Sequence, residues 1–197
     1  MAGSNFKGVL VPAPVRLIHP RRFGDARGWF TETYNRDTFA ASGIDVTFVQ
    51  DNHSLSRPLF TLRGLHFQTP PRAQNKLVRC VRGRIFDVAV DVRRGSPTYG
   101  QWVGAELSAE NGDQLFVPVG FAHGFVTLES DCEVVYKCSD TYAPEHDDGI
   151  AWDSVGIDWP LPPGVTPELS DKDRRQPTLS QFDSPFAYDG CPLEPLS

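Results

Sequence analysis

Lys76-Leu77-Val78-Arg79-Cys80-Val81-Arg82, a break at Gly83, then Arg84-Ile85-Phe86-Asp87-Val88-Ala89-Val90-Asp91-Val92 is the stretch on which the fold turns. Both runs are rich in β-branched residues and read as short strands separated by the Arg82-Gly83 turn. Side chains alternate faces along a strand. Lys76 therefore shares a face with Val78 and Cys80, the apolar and inward one. Asp87 and Asp91 share a face with Ile85 and Ala89, so at least one of these carboxylates is expected to be buried and to need a partner, for which an imidazole would serve.

Outward from this stretch the same kind of run recurs. Residues 28–34, 48–54, 61–68, 102–107, 114–117, 124–128 and 132–138 read as strands. Turns such as Ser56-Arg57-Pro58, Gly95-Ser96-Pro97 and Asn111-Gly112 separate them. Residues 36–41, closed by Ser42-Gly43, form the one clear helical candidate. Gly and Pro number 17 each, which favours a turn-rich β protein over a helical one. Many short strands at near-regular spacing predict an all-β sandwich or barrel. The chain is read as a single domain, 1–197, with a core at about 15–176 and a tail at 177–197. The first dozen residues read as a loosely attached arm. After Pro144 the chain is Pro- and Asp-rich and predicts irregular wrapping segments, and the last ten residues have the composition of a disordered end.

The formal net charge of -6 lacks the basic stripe of a nucleic-acid binder, though a local basic pocket for a small anion is compatible with it. No apolar run follows a basic start, and no stretch approaches the ~20 apolar residues of a membrane span. Cys80, Cys132, Cys138 and Cys191 form no CxxC pair and read as reduced thiols. The expectation is a protein of the cytoplasm with no membrane or nucleic-acid partner.

Chemistry-bearing residues fall on the strand runs. In Cys132-Glu133-Val134-Val135-Tyr136-Lys137-Cys138, Tyr136 shares a face with Cys132, Val134 and Cys138. In Leu62-Arg63-Gly64-Leu65-His66-Phe67-Gln68, His66 shares a face with Leu62 and Gln68. Three titratable groups, Lys76, Tyr136 and His66, thus point into one barrel, whose interior has room for packed side chains or one small ligand. Gly64 inside its strand marks a bulge able to re-aim Arg63 and His66. A histidine beside an anion-binding arginine is what chemistry on a phosphorylated substrate needs. His123 sits in Gly120-Phe121-Ala122-His123-Gly124-Phe125, either as an exposed turn residue or as a ligand contact. Ser170-Asp171-Lys172-Asp173 is an ordinary charged turn unless it folds back onto His66, where a carboxylate would fix the imidazole tautomer. A metal is not expected: His66-Phe67-Gln68 supplies an amide where a second histidine ligand would stand, and no Glu follows at suitable spacing. There is no GxGxxG for a dinucleotide and no GxSxG elbow.

The ordered set of pieces resembles one family. They are Phe23-Gly24-Asp25-x-Arg27-Gly28-x-Phe30-x-Glu32, Gln50-Asp51-Asn52-x-Ser54, Leu62-Arg63-Gly64-Leu65-His66-Phe67-Gln68, Lys76-Leu77-Val78 and Phe86-Asp87-Val88-Ala89-Val90-Asp91. Next come Trp102-Val103-Gly104, Leu107-Ser108-Ala109-Glu110-Asn111, Pro118-x-Gly120-Phe121-Ala122-His123-Gly124-Phe125, Tyr136-Lys137 and Leu169-Ser170-x-Lys172-Asp173. In order and spacing, from about Phe23 to Asp173, the chain resembles the dTDP-4-dehydrorhamnose 3,5-epimerases.

The resemblance implies a cupin-type jelly-roll β-barrel with a few short helices, and a homodimer that exchanges an N-terminal strand. It implies a dTDP-linked 4-keto-6-deoxy sugar as substrate and no cofactor or metal. Carried over position by position, His66 is the general base, Asp173 its orienting carboxylate, Tyr136 the acid on the opposite face of the sugar, and Lys76 the stabiliser of the enolate. Arg63, Gln50, Asn52 and Lys172 would bind the sugar nucleotide, with His123 assisting and Tyr142 stacking on the base. Phe23, Arg27 and Glu32 match positions that reach into the partner's site. Relatives that invert only carbon 3 or carbon 5 would share these motifs. A binding protein without catalysis would not need the His66, Asp173, Lys76 and Tyr136 set, and a metal-dependent cupin oxygenase would need better ligands.

Overall fold

A computed structural model describes residues 15–196. The arm expected over the first dozen residues lies outside them. The described elements are β1 (Arg16–Ile18), β2 (Arg22–Asp25), β3 (Gly28–Thr31), α1 (Arg36–Ala41), β4 (Gln50–Ser56), β5 (Leu62–Gln68) and β6 (Lys76–Arg82). They continue with β7 (Arg84–Asp91), β8 (Trp102–Ser108), β9 (Gln114–Val117), β10 (Phe121–Thr127), β11 (Cys132–Cys138) and β12 (Asp147–Gly149). Three single 3-10 turns follow Ala143, Lys172 and Thr178.

Antiparallel pairing sorts these strands into two five-stranded sheets, β1-β9-β6-β11-β4 and β12-β5-β10-β7-β8. The hairpin β2–β3 is a separate two-stranded sheet. The corner at Gly83 carries the chain from the first sheet to the second, so the two adjacent runs that open the sequence reading face one another instead of pairing. Between the sheets lies the interior cluster, with Val78, Cys80, Leu115 and Val134 from one side and Ile85, Ala89, Leu107 and Phe125 from the other. The strand parity expected for Lys76, Asp87 and Tyr136 holds: their i±2 neighbours are these interior residues. This is the all-β class that the strand runs predict, in the jelly-roll form that the resemblance implies.

Both outer faces are partly covered, because β6 and β9 in the first sheet and β5 and β7 in the second also carry apolar residues at the alternate positions. On the first sheet, Leu77 and Phe116 pack beneath Phe39 of α1 and Ile44. Asn35 caps that helix by accepting from the Asp37 and Thr38 amides, and the chain leaves it through Gly43, whose amide donates to the Ala40 carbonyl. On the second sheet, Leu65, Phe67, Val88 and Val90 pack against Ile150, Ile157 and Phe186. The irregular wrapping expected after Pro144 is therefore present, and it is core material.

The end of the chain corrects one expectation. Residues 188–196 do not behave as a disordered end: the Tyr188 amide donates to the Arg94 carbonyl at 3.1 Å, and the Leu193 amide to Thr98 Oγ1 at 3.0 Å. Leu193 is buried against the interior cluster. Asp189 pairs at 2.8 Å with Arg93, a buried guanidinium that also forks onto Asp91. Isolated leucines among prolines and acids have no periodicity, so composition hid this docking. No helix among the described residues is long and apolar enough to cross a membrane.

Candidate active site

The site begins at a fault in one strand pair. Along β5 and β10, His66 lies opposite His123, and Arg63 lies opposite Phe125. Three steps on β5 match two on β10, so β5 carries one extra residue, a bulge at Gly64-Leu65. Gly64 has φ +129°, and a Cβ there would lie 2.7 Å from Gly124 Cα, so only glycine fits. Cross-strand partners share a face. His123 and Phe125 face inward together, so the bulge brings Arg63 onto the same face as His66 and turns Leu62 to the other side with Val126. The expected sharing of a face between His66 and Leu62 is thus corrected, because plain alternation does not survive an inserted residue. Arg63 donates from Nε to Ser56 Oγ at 3.0 Å and from Nη2 to the Leu55 carbonyl at 3.1 Å, which ties it to the end of β4.

His66 stands beside a carboxylate from more than a hundred positions later. Its Nε2 lies 2.5 Å from Asp173 Oδ1, and the other Asp173 oxygen accepts from Ser170 Oγ at 2.8 Å. Burial pushes the Asp173 carboxyl up, but the hydrogen bonds from His66 and Ser170 outweigh it and hold the group below the usual carboxylate range. An ionised carboxylate only accepts, so Nε2 carries the hydrogen and Nδ1 is the basic nitrogen. The charged turn therefore does fold back onto His66. Gly149, the partner of His66 on β12, lets the backbone of β5 and the Gln176 side chain come close: a Cβ there would meet the Leu65 carbonyl at 2.4 Å and Gln176 at 2.9 Å. A cleft of about 210 Å³ opens beside the dyad, lined by Arg63, Leu62, Ser170 and Asp173.

The opposite sheet supplies the other groups. Tyr136 lies between Asn52 on β4 and Val78 on β6, and Cys138 between Gln50 and Lys76. Gln50, Asn52, Tyr136 and Lys76 thus share one inward face across three strands. Lys76 Nζ reaches over to donate to the His66 carbonyl at 3.4 Å. Burial lowers the Lys76 ammonium from its ordinary value, and the negative groups Asp147 and Asp87 partly restore it. Burial also raises the Tyr136 phenol, so it stays protonated at neutral pH, and Arg63 pulls weakly the other way. Gln50 Nε2 donates to Asn52 Oδ1 at 3.1 Å. Beneath them, His123 is buried, with Nε2 2.8 Å from Asp87 Oδ1. It is not an exposed turn histidine, and the buried carboxylate has the imidazole partner that parity demanded.

At the rim, Tyr142 is 58% exposed. Its amide donates to Gln50 Oε1 at 2.8 Å, and its hydroxyl to Asp147 Oδ2 at 3.0 Å. Lys172 Nζ lies 2.6 Å from the same Asp147 oxygen. Within one chain, ten of the thirteen residues singled out from sequence lie on or around this inward face. The other three are on or next to the hairpin: Phe23 lies under the Arg21 guanidinium, Arg27 pairs with Asp25 at 2.6 Å, and Glu32 accepts from Asn35. Sequence reasoning passed over Asp147 and the supporting role of Ser170. Asp147 sits in Asp147-Asp148-Gly149, with no apolar alternation to betray a strand. Ser170 does carry a signal, the Ser-x-x-Asp spacing of a capping pair. Among the described residues, no three His, Cys, Asp or Glu side chains group as a metal site.

An imidazole on one sheet, held by a carboxylate from the 170–173 turn, and a half-buried phenol and ammonium on the other sheet can take a proton from one face of a small ring and return one to the other. Comparisons with known proteins agree with this architecture. The sequence profile of the family described as dTDP-4-dehydrorhamnose 3,5-epimerase matches residues 13–181. The chain is 56% identical over 178 residues to the dTDP-4-dehydrorhamnose 3,5-epimerase of Sinorhizobium fredii, covering 89% of this chain and 90% of that one. It is similar to the crystal structure of dTDP-6-deoxy-D-glucose-3,5-epimerase from Legionella pneumophila in complex with dTDP-4-keto-L-rhamnose, with a TM-score of 0.84 and 43% identity over 90% of this chain and 95% of that one. A 3'-monoepimerase from Streptomyces bikiniensis in complex with dTDP-quinovose is more distant, with a TM-score of 0.79 and 35% identity over 85% of this chain and 84% of that one. With the profile spanning most of its length and relatives above half identity, this chain belongs to the dTDP-4-dehydrorhamnose 3,5-epimerase family of isomerases.

Proposed function

We propose that this protein converts dTDP-4-dehydro-6-deoxy-D-glucose to dTDP-4-dehydro-L-rhamnose by inverting carbons 3 and 5. The observation that carries this reading is His66 on one sheet, paired with Asp173 of the 170–173 turn, with Tyr136 and Lys76 on the sheet facing it. In a 4-keto sugar, carbons 3 and 5 both flank the carbonyl, so removal of either hydrogen gives an enolate. His66 Nδ1 takes the proton, and the carboxylate of Asp173 stabilises the imidazolium through Nε2. The Lys76 ammonium offsets the charge developing on the carbonyl oxygen. Tyr136 O–H delivers a proton to the opposite face of the same carbon, which inverts it. The two groups then recover their protonation states by exchange with solvent, and the second carbon is treated in the same way. No redox partner or cofactor enters these steps.

Arg63, Gln50 and Asn52 hold the diphosphate and sugar, Lys172 adds a second cation, and Tyr142 stacks on the base. His123, anchored by Asp87, supports the floor beside Lys76. We further infer a homodimer in which the N-terminal strands exchange and Phe23, Arg27 and Glu32 complete the partner's site. What supports this is a hairpin that forms its own sheet and leaves Trp29 59% and Phe30 69% exposed. Four free cysteines suit the reducing cytoplasm.

The test is to incubate the protein, with chelator, with dTDP-4-keto-6-deoxyglucose in heavy water and to follow carbons 3 and 5 by NMR. Deuterium at both carbons, with the L-configured product trapped by a reductase, is the expected result. Deuterium and inversion at one carbon alone would make the protein a single-site epimerase, and exchange at neither would refute the assignment.

A further inference from the structure

Among the described residues, the two non-glycine positions with a left-handed backbone are Asp131, with φ 53°, and Phe60, with φ 59°. An aspartate tolerates that conformation, whereas a bulky residue is strained by it. Such strain persists where the surroundings fix the backbone from several sides, and Phe60 is fixed in this way. Its amide donates to the Thr127 carbonyl, at the end of β10, at 3.1 Å, and its carbonyl accepts from the Glu168 amide at 2.9 Å. The next two residues repeat the pattern. The Thr61 amide donates to Thr127 Oγ1 at 2.9 Å, Thr61 forms a parallel bridge with Glu168, and the Leu62 amide donates to the Glu168 carbonyl at 2.9 Å. Phe60 is thus the point at which the chain, leaving the turn after β4, is set between β10 on one side and Glu168 on the other.

This bridge stands at the root of the His66–Asp173 pair. From it the two segments run the same way, and His66 and Asp173 each lie five residues beyond it (61 to 66 and 168 to 173). Of residues 168–173 only Asp173 is buried, so packing does little to set the register of the segment. Both backbone groups of Glu168 are instead held by Phe60 and Leu62. A slip of one residue would carry the segment about 3.3 Å along β5. The 2.5 Å contact between Asp173 and His66 Nε2 would not survive it. We propose that Phe60 is a positioning residue for that pair, its left-handed backbone aiming the carbonyl that registers segment 168–173 against β5. The proposal rests on reading His66 and Asp173 as the base of an epimerase. It is the conformation that matters and not the aromatic ring, so residues at ease in the left-handed region replace Phe60 without loss. A β-branched residue would leave that region and turn the carbonyl away from Glu168.

The experiment compares the wild type with Phe60→Val, Phe60→Gly, Phe60→Asn, Asp173→Asn and the Phe60→Val/Asp173→Asn double variant. One readout, taken without substrate, is the proton resonance of His66 Nε2–H, which a short bond to a carboxylate moves far downfield. The other is kcat and KM with the keto sugar. Phe60→Val should lose the downfield resonance and about 10- to 100-fold in kcat, with a smaller change in KM. Phe60→Gly and Phe60→Asn should keep both the resonance and kcat. In the Asp173→Asn background Phe60→Val should lower kcat no further. A folded Phe60→Val variant that keeps the resonance and kcat would overturn the proposal and leave the epimerase reading standing. Equal losses in the glycine and asparagine variants would assign the effect to the ring and also overturn it, as would additive losses in the double variant. A wild type that exchanges no sugar hydrogen would overturn the epimerase reading, while the resonance still decides the role of Phe60. If Phe60→Val does not fold, Glu168→Pro, which removes the amide that Phe60 holds, decides by the same two readouts.

Discussion

At the scale of single residues, the division of labour between the two sheets makes separable predictions. His66→Ala should lower exchange at both carbons by about 100-fold or more, because one imidazole serves both. Tyr136→Phe should behave differently: the base still removes a proton and solvent deuterium still enters with retention, while inversion falls by roughly 100-fold. NMR in heavy water reads both quantities in one sample. Lys76 has a folded-state pKa below its ordinary 10.5 because burial disfavours the ammonium, while that of Tyr136 is raised above 10.0 by burial. As pH rises, kcat should therefore fall first through the loss of the Lys76 proton, at a pH below 10.5, before the phenol ionises. The same shift has a stability sign. Between the folded value and 10.5 the unfolded chain binds more protons than the native one, so stability increases with pH in that window. Below the folded value the buried charge is a standing penalty. Lys76→Met should remove it and raise Tm, by about 2–4 °C per kcal/mol recovered, while turnover collapses. A calorimetric scan and a rate assay on one preparation check the opposition.

At the scale of elements, β5 is where sequence and structure part company most usefully. The run 62–68 is plainly a strand, and Gly64 within it plainly a bulge signal. Alternation nevertheless assigns Leu62 to the face of His66 and leaves Arg63 facing away. The pairing of Arg63 with Phe125, one residue out of step with His66 and His123, reverses this. Parity is reliable only between bulges, since each inserted residue flips everything beyond it. Gly64→Ala should cost roughly 1–3 kcal/mol, because the residue would keep a φ of +129° and push into the backbone of Gly124. Arg63 would lose its aim with it, so KM for the sugar nucleotide should rise even at temperatures where the variant is fully folded. Circular dichroism melting and steady-state kinetics measure the two effects. The strands β6, β9 and β11, apolar and β-branched runs bounded by turn residues, coincide with the runs 76–82, 114–117 and 132–138 read from sequence. The strands β1, β2 and β12 were not legible, being three or four residues long and without alternation.

At the scale of the whole molecule, the barrel is closed by what looks in sequence like trailing chain. The family profile ends at residue 181, yet Phe182 and Phe186 stack on Phe67, and Leu193 joins the interior cluster. Burying Phe186 and Leu193 is worth about 1.5–3 kcal/mol each. Removal of residues 182–197 should therefore lower Tm by about 10 °C or more, while kcat measured well below that Tm changes little, since His66, Asp173, Tyr136 and Lys76 are all retained. In the other direction, Phe30→Asp on the exposed hairpin should leave the barrel folded and shift the protein toward the monomer in light scattering, with a raised KM if the hairpin completes the partner's site. The all-β class, the helix at 36–41 and the inward facing of Lys76, Tyr136 and Asp87 can be read from the chain before it is folded. These follow from local period, turn chemistry and caps, which act over a few residues. That the 170–173 turn meets His66, and that Arg63 shares the face of His66, emerges only from the folded arrangement. The same holds for the link from Tyr142 through Asp147 to Lys172 and for the tail as core. Each of these depends on a contact between distant segments or on one inserted residue, and hydrophobic periodicity carries no record of which distant segment a strand will meet.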